Sequence, residues 1–303
     1  MDESIETVCG NGSGNGSNNG GEPGAGHPPT PPRLHRVVVL LDASRASLAA
    51  LELAADCAAR RGAELLALFV EEKDLLRCAG YPWAQEIGLS GTVRKIEASE
   101  LEAAMRDRAA AAQAALARAA DGRLLKWQLQ VTRGRVAPAT LAITRADDLL
   151  LLGRVGYARA RGLRIGSTVQ VLALEAPGPV IVCTETSARA AAVRTAVLAE
   201  PGTAGLETLT RAHHLFEAHE RLSTVLVNAT DEAAVAPLRQ WLTAHHPQAQ
   251  LLHVPHLSDE VIAHLVEERG IEKLLFSRRH PLLAEGLVCD LVERLRIPVT
   301  IVP

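Results

Sequence analysis

Unbroken apolar runs constrain this chain more than any other feature. Val37-Val38-Val39-Leu40-Leu41 and Leu149-Leu150-Leu151-Leu152 contain no polar residue. Successive side chains of a strand point to opposite faces, so such a run needs cover on both sides. Between and after the runs, apolar residues recur at helical spacing. Leu48, Leu51, Ala55 and Ala58 form one stripe, Leu101, Met105, Ala112 and Leu116 a second, and Val169, Leu172, Ala173 and Ala176 a third. Strands alternating with helices predict an α/β fold, a parallel sheet joined by right-handed crossovers. The expected strands of the first part are Val37–Leu41, Glu64–Val70, Trp127–Val131, Leu149–Leu152 and Gly178–Cys183. Val136–Thr144 reads as a short helix with Pro138 in its first turn, where proline is tolerated. Ser99 with Glu102 reads as a capping box. Residues 71–98 read as an irregular insert.

The pattern then restarts. Arg194–Glu200 echoes Arg36–Asp42, and Thr224–Val227, Gln250–Val254, Leu274–Phe276 and Pro298–Val302 echo the later strands. A repeated unit implies two tandem open parallel five-stranded sheets with helices on both faces. The expected domains are residues 34–187 and 192–303, which suits a chain of 303 residues. Residues 1–33 are rich in Gly, Asn, Ser and Pro and cannot bury a core, so they read as a disordered low-complexity tail.

Composition closes several function classes. A net charge of −3 argues against a nucleic-acid binder working through a basic surface. Three Trp, two Tyr and three Phe give no stacking platform for single strands. Cys9, Cys57, Cys78, Cys183 and Cys289 are scattered, with no C-x-x-C pair, and read as free thiols in a reducing compartment. No apolar run approaches the length of a membrane span. No basic-then-apolar start suggests a secretory signal, so a cytoplasmic location is expected.

After the run at 149–152 come Gly153, Arg154, Val155 and Gly156, nine further residues, then Gly166-Ser167-Thr168 at the start of the third helical stripe. Two readings are open. The glycines can form a tight turn and a helix cap with no ligand. Alternatively, backbone without Cβ atoms approaches an anion, and free N–H groups at a helix start hold it. Arg154, Arg159, Arg161 and Arg164 add positive charge, which favours a phosphate cradle. The spacing is not a Walker A loop, whose Gly-Lys-Ser/Thr is missing, nor a Rossmann fingerprint, whose glycines are closer. Asp42 ends the first run, at the position where ligands of open α/β sheets sit, although it also suits a cap for the helix beginning near Ser44.

Gly-x2-Gly-x9-Gly-Ser after a strand resembles the ATP-binding signature of universal stress proteins. The segment Arg36-Val37-Val38-Val39-Leu40-Leu41-Asp42-Ala43-Ser44-Arg45-Ala46-Ser47 resembles that family's opening strand, aspartate and Ser-x2-Ser helix start. The resemblance is good over residues 34–185 and weak over 192–303. It implies an adenine nucleotide alpha hydrolase-like fold and a regulatory, stress-response protein. ATP, or ADP or AMP, would be held by Asp42, the backbone of Val70, Gly153, Arg154, Gly156, Gly166, Ser167 and Thr168, with magnesium on the phosphates. Asp42 would meet the adenosine part and Val70 the adenine edge. The insert at 71–98 would lie near the ligand mouth, as a lid or a plain surface excursion. In the second copy Ser277, His280 and Glu285 stand for the three glycines and Glu200 for the aspartate, so that copy is expected to bind nucleotide weakly or not at all. It would serve as a built-in dimer partner, fifth strand against fifth strand, with a homodimer of whole chains and a regulatory protein as further partners. Two alternatives differ in class. One is a slow ATP hydrolase or adenylate-transferring enzyme, against which the place of a catalytic Ser-Gly-Gly-x-Asp-Ser loop is taken by Asp42-Ala43-Ser44-Arg45. The other is a nucleotide-free dimerisation module, against which the glycines stand.

Nine of the eleven histidines fall in the second copy. None has the spacing of a zinc helix, and solvated histidines are expected; His253 and His256 are the best metal candidates.

Overall fold

Each central strand has two apolar faces, and the structure, a computed structural model, covers both. It describes residues 34–87, 90–95, 97–154, 167–185, 193–229, 231–281, 291–292 and 294–303. The expected tail at 1–33 lies outside them.

The first half runs β1 (Arg36–Leu41), α1 (Arg45–Arg61), β2 (Glu64–Glu72), α2 (Lys73–Ala79), β3 (Gln85–Ile87), β4 (Val93–Lys95), α3 (Ala98–Ala120), β5 (Trp127–Gly134), α4 (Val136–Ile143), β6 (Asp148–Gly153), α5 (Ser167–Glu175) and β7 (Val180–Cys183). The second runs β8 (Val193–Ala199), α6 (Thr203–Leu215), β9 (Glu220–Val227), α7 (Glu232–His245), β10 (Gln250–His253), α8 (Asp259–Glu268), β11 (Lys273–Ser277) and β12 (Val299–Val302), with a helical stretch around 291–294 before the last strand. Ten strands make one sheet in the order β10-β9-β8-β11-β12-β7-β6-β1-β2-β5. All neighbours are parallel except β7 and β12, which pair antiparallel with Ile181 opposite Thr300. Read outward from that seam, both halves repeat one strand order. In place of two separate five-stranded sheets there is thus a single sheet, because the edge strand of each half supplies the hydrogen bonds the other lacks. Residues 32–303 form one compact unit.

Local chemistry fixes the elements. Ser44 caps α1 by accepting from the Ser47 amide at 3.1 Å. Gly62, at φ 63°, ends it in the left-handed conformation, after Arg60 and Arg61 in the last turn, where cations complement the helix dipole. Arg36 grips Asp148 with two hydrogen bonds of 3.0 and 2.6 Å, tying the amino ends of β1 and β6 together.

The sequence expectations fail at two places. Ser99 lies within α3, whose N-cap position is Glu97 with no side-chain cap, so no capping box forms. The insert at 71–98 is not irregular: it holds the end of β2, α2, and the β3–β4 hairpin, whose Gln85 pairs with Lys95.

Side chains alternate between the two faces of the sheet. On one face Val38, Leu150, Val180, Leu198, Leu274 and Ile301 join α5 and α8 in a single core spanning both halves. On the other face there are two cores, one under α1 and α3 with Leu149, Leu151 and Ile181, the other under α6 and α7 with Val197, Leu275 and Val302.

Candidate functional site

The chain leaves β1 for β2 and β5 on one side, then returns to β6 on the other. Where the strand order reverses, the loops diverge and leave a crevice outside the carboxyl ends. Three expected site residues meet there. Leu41 pairs with Phe69, so Asp42 and Val70 lie level, each one residue past that pair. Gly153 closes β6 on the other flank of β1, opposite Cys183 of β7. Thr168, half-buried, and Ser167 begin α5. Gly156 and Gly166 lie outside the described residues, as do Arg159, Arg161 and Arg164.

Asp42 does not cap α1; Ser44 does. The Asp42 carboxylate instead braces the turn between them, accepting from the Ser44 amide at 2.9 Å. Its own amide donates to Ser47 Oγ at 3.4 Å. The turn forces Ala43 to φ 62°, the left-handed region that Cβ disfavours. Ala43→Gly should therefore raise the unfolding free energy by about 1 kcal/mol despite the added freedom of the unfolded chain. Denaturant titration would show an unchanged or lower midpoint if the turn were not strained.

Gly153 has a packing reason of its own. A Cβ there would stand 2.7 Å from the Ser47 nitrogen and 2.8 Å from the Ala46 carbonyl carbon. The first turn of α1 lies directly on the end of β6, and only glycine lets it.

Arg154 narrows the cradle. Its amide donates to Cys183 O at 2.9 Å and so extends the β6–β7 ladder. It is not an exposed amide awaiting an anion. Its guanidinium crosses the seam, with Nη1 donating to Val292 O and Leu295 O at 3.3 and 3.1 Å, in the last turn of the stretch around 291–294. Arg278 does the same in reverse. Its amide donates to Val302 O at 2.6 Å, and its guanidinium reaches Ala173 O of α5 at 3.0 Å and Gly178 O at 3.1 Å. Burial pushes the Arg278 guanidinium below its ordinary pKa. Each half thus caps the other's last helix, where cations are favoured. Sequence reasoning did not find Arg278, although the signal was there: it follows Ser277 as Arg154 follows Gly153.

At the matching place in the second half stand Ser277 and His280. Both are buried, and the His280 amide donates to Ser277 O at 3.0 Å. Burial pushes the His280 imidazole down while the nearby Glu200 charge works against that shift. Glu200 accepts from Thr208 Oγ1 at 3.1 Å. Glu285 lies outside the described residues.

His213 Nδ1 and His246 Nε2 are 2.9 Å apart at the ends of α6 and α7. Burial and the neighbouring histidines hold both below the usual histidine range. His253 lies 3.8 Å from Glu232, and His256 is exposed. Among the described residues no group of three or more His, Cys, Asp or Glu could hold a metal ion.

The model of the Universal stress protein family matches residues 33–184. A universal stress protein from Archaeoglobus fulgidus DSM 4304 is 14% identical, with 89% of this chain and 98% of that chain covered at a TM-score of 0.62. A functionally unknown protein from Pseudomonas aeruginosa PAO1 is 12% identical, with 89% and 92% covered at a TM-score of 0.55. At these identities the likeness is one of fold. No curated protein matches the chain.

Proposed function

This chain belongs to the universal stress protein family, and from that footing we propose that it is a nucleotide-binding regulatory protein whose first half holds ATP, ADP or AMP. The observation that carries this reading is the convergence of Asp42, Val70 and Gly153 at the carboxyl ends of three adjacent strands, at the point where the strand order reverses. Asp42 and the backbone of Val70 would bind the adenosine part. Gly153, Gly156, Gly166, Ser167 and Thr168 would line the phosphate path, since the first turn of a helix offers N–H groups without partners inside the helix and the positive end of its dipole. Arg154 would add charge from a guanidinium anchored on the second half. Magnesium would ride on phosphate and water oxygens, because the described residues offer no carboxylate cluster for it.

In the same reading, residues 34–187 and 192–303 are two copies of one domain, and the second is a fused dimer partner without a working crevice. The shared strand order and the buried His280 beside Glu200 support this. The chain acts by being read in its bound state by a protein partner, not by turnover, and it works in the cytoplasm. Among the described residues no helix is long and apolar enough to cross a membrane.

Calorimetric titration of the full chain with ATP, ADP and AMP, with and without magnesium, tests this. One site of low-micromolar to millimolar affinity is expected, in the range about −4 to −8 kcal/mol. Gly156→Glu and Gly166→Asp should abolish binding with the far-ultraviolet dichroism intact. Binding that survives either change, or no binding by the parent chain, rejects the assignment. Steady-state hydrolysis above about 1 s⁻¹ would favour an enzyme instead.

A further inference from the structure

The three cores leave a gap. On the α5–α8 face one core runs across the seam, but on the opposite face the α1–α3 core and the α6–α7 core stay apart. Between them, over β7 and β12, lies a cavity of about 200 Å³. Its floor is Leu151, Ile181 and Thr300, which share one row across β6, β7 and β12. Leu53 and Cys57 of α1 form one wall and Leu215 of α6 another.

The rim is charged and internally paired. Lys273 meets Glu220 at 2.6 Å, with the two side chains 9% and 8% exposed. Arg61 donates to Leu215 O at 2.5 Å, and Arg60 pairs with Glu217. Burial acts to raise the Glu217 carboxyl, but hydrogen bonds from Cys57 and Arg60 and the charges of Arg60 and Arg61 hold it below the ordinary range. The lining cations Arg61, Lys273 and Arg296 are matched by the anions Glu217, Glu220 and Glu272, so the cavity has no net appetite for an ion.

Among the buried polar atoms of the lining residues, Arg61 Nε and Glu217 Oε2 are held in ion pairs, while two others have no partner. Thr300 Oγ1, on a fully buried residue, makes no hydrogen bond, and neither does Glu220 Oε2, whose sister oxygen holds Lys273. Buried polar atoms without partners are costly, and native folds rarely leave them so without a reason. The Cys57 thiol is pushed up to about 12, first by burial and then by the Glu217 charge, so it offers no thiolate for covalent capture.

We propose that this cavity is a second binding site, separate from the nucleotide crevice. It takes a small neutral molecule with an apolar body and one O–H or N–H donor, the donor meeting Glu220 Oε2. An engineered cavity of about 150 Å³ takes benzene, so this one suits a ligand the size of indole or a substituted phenol. The site exists only where both halves meet, so neither half alone would carry it.

The test is calorimetric titration of the full chain with indole, and with benzofuran, which keeps the shape but loses the donor. Saturable binding of one indole per chain is expected, with benzofuran at least about tenfold weaker. Ile181→Trp and Leu53→Trp, each filling the cavity from a different element, should abolish the indole heat in whichever variant keeps its dichroism and a cooperative melt. Absence of saturable indole binding, meaning that the cavity holds water alone, overturns the proposal. So does equal binding of benzofuran, or indole binding that persists in both folded tryptophan variants.

Discussion

Glu220→Ala is expected to cost about 3–5 kcal/mol of folding free energy. Lys273 is the reason. It begins β11 beneath the seam cavity with its side chain 9% exposed, and its ammonium lies 2.6 Å from Glu220 Oε1. Truncating Glu220 leaves a cation in an apolar setting with its short-range partner gone. The chain must then hold an unpaired charge out of water, which favours the unfolded state. The pair itself adds little net stability, because both ions were taken out of water to form it. Replacing both partners, Glu220→Leu with Lys273→Met, should therefore recover most of the loss. Urea or guanidinium titrations of the parent, single and double variants at neutral pH measure this. A single variant within about 1 kcal/mol of the parent would show that water reaches Lys273 freely.

Gly153→Ala is expected to lose about 3 kcal/mol or more, for a steric reason. The new methyl would press on the Ser47 nitrogen and the Ala46 carbonyl carbon, which are backbone atoms of α1. A flexible side chain could swing away; a helix backbone cannot, so α1 or the end of β6 must shift. Both are anchored, α1 by its Ser44 cap and β6 by pairing on either side. The same measurement checks it, and a loss under about 1 kcal/mol would mean that α1 slides easily. A bearing on function follows. Nucleotide binding lost in a Gly153 variant would report a displaced α1, and with it a displaced Asp42 turn, before it reported any contact with phosphate.

The strands were legible wherever burial dictates sequence. Leu149–Leu152 and, apart from the half-buried Leu40, Val37–Leu41 are sealed on both faces, and no polar residue stands there. The hairpin between α2 and α3 was not legible because nothing buries it: Ile87 and Val93 are exposed, so no face imposes a period on the sequence. The single sheet was not legible in the residues themselves, although the family resemblance implied fifth strand against fifth strand, and the reason is different. Ile181 and Thr300 pair across the seam as interior strands do, and a strand covered by its neighbour's edge reads the same as one covered within its own half. At the candidate site the sequence could say that position 153 needs a glycine, but not that a helix, with or without a ligand, is what comes close. It could likewise show the positive charge of Arg154 without showing where the guanidinium goes, since its acceptors lie well over a hundred residues away.

The unbroken core beneath α5 and α8 decides which residues of the second half can drift. Leu198, Leu274, Phe276 and Ile301 share an interior with Leu150 and Val180, so eroding them would also unseat the strand that ends in Gly153. Ser277 and His280, at the crevice proposed to bind no nucleotide, belong to none of these apolar cores. On the proposed reading, a lineage carrying this chain is free to wear away the second half's chemistry while being held to its architecture.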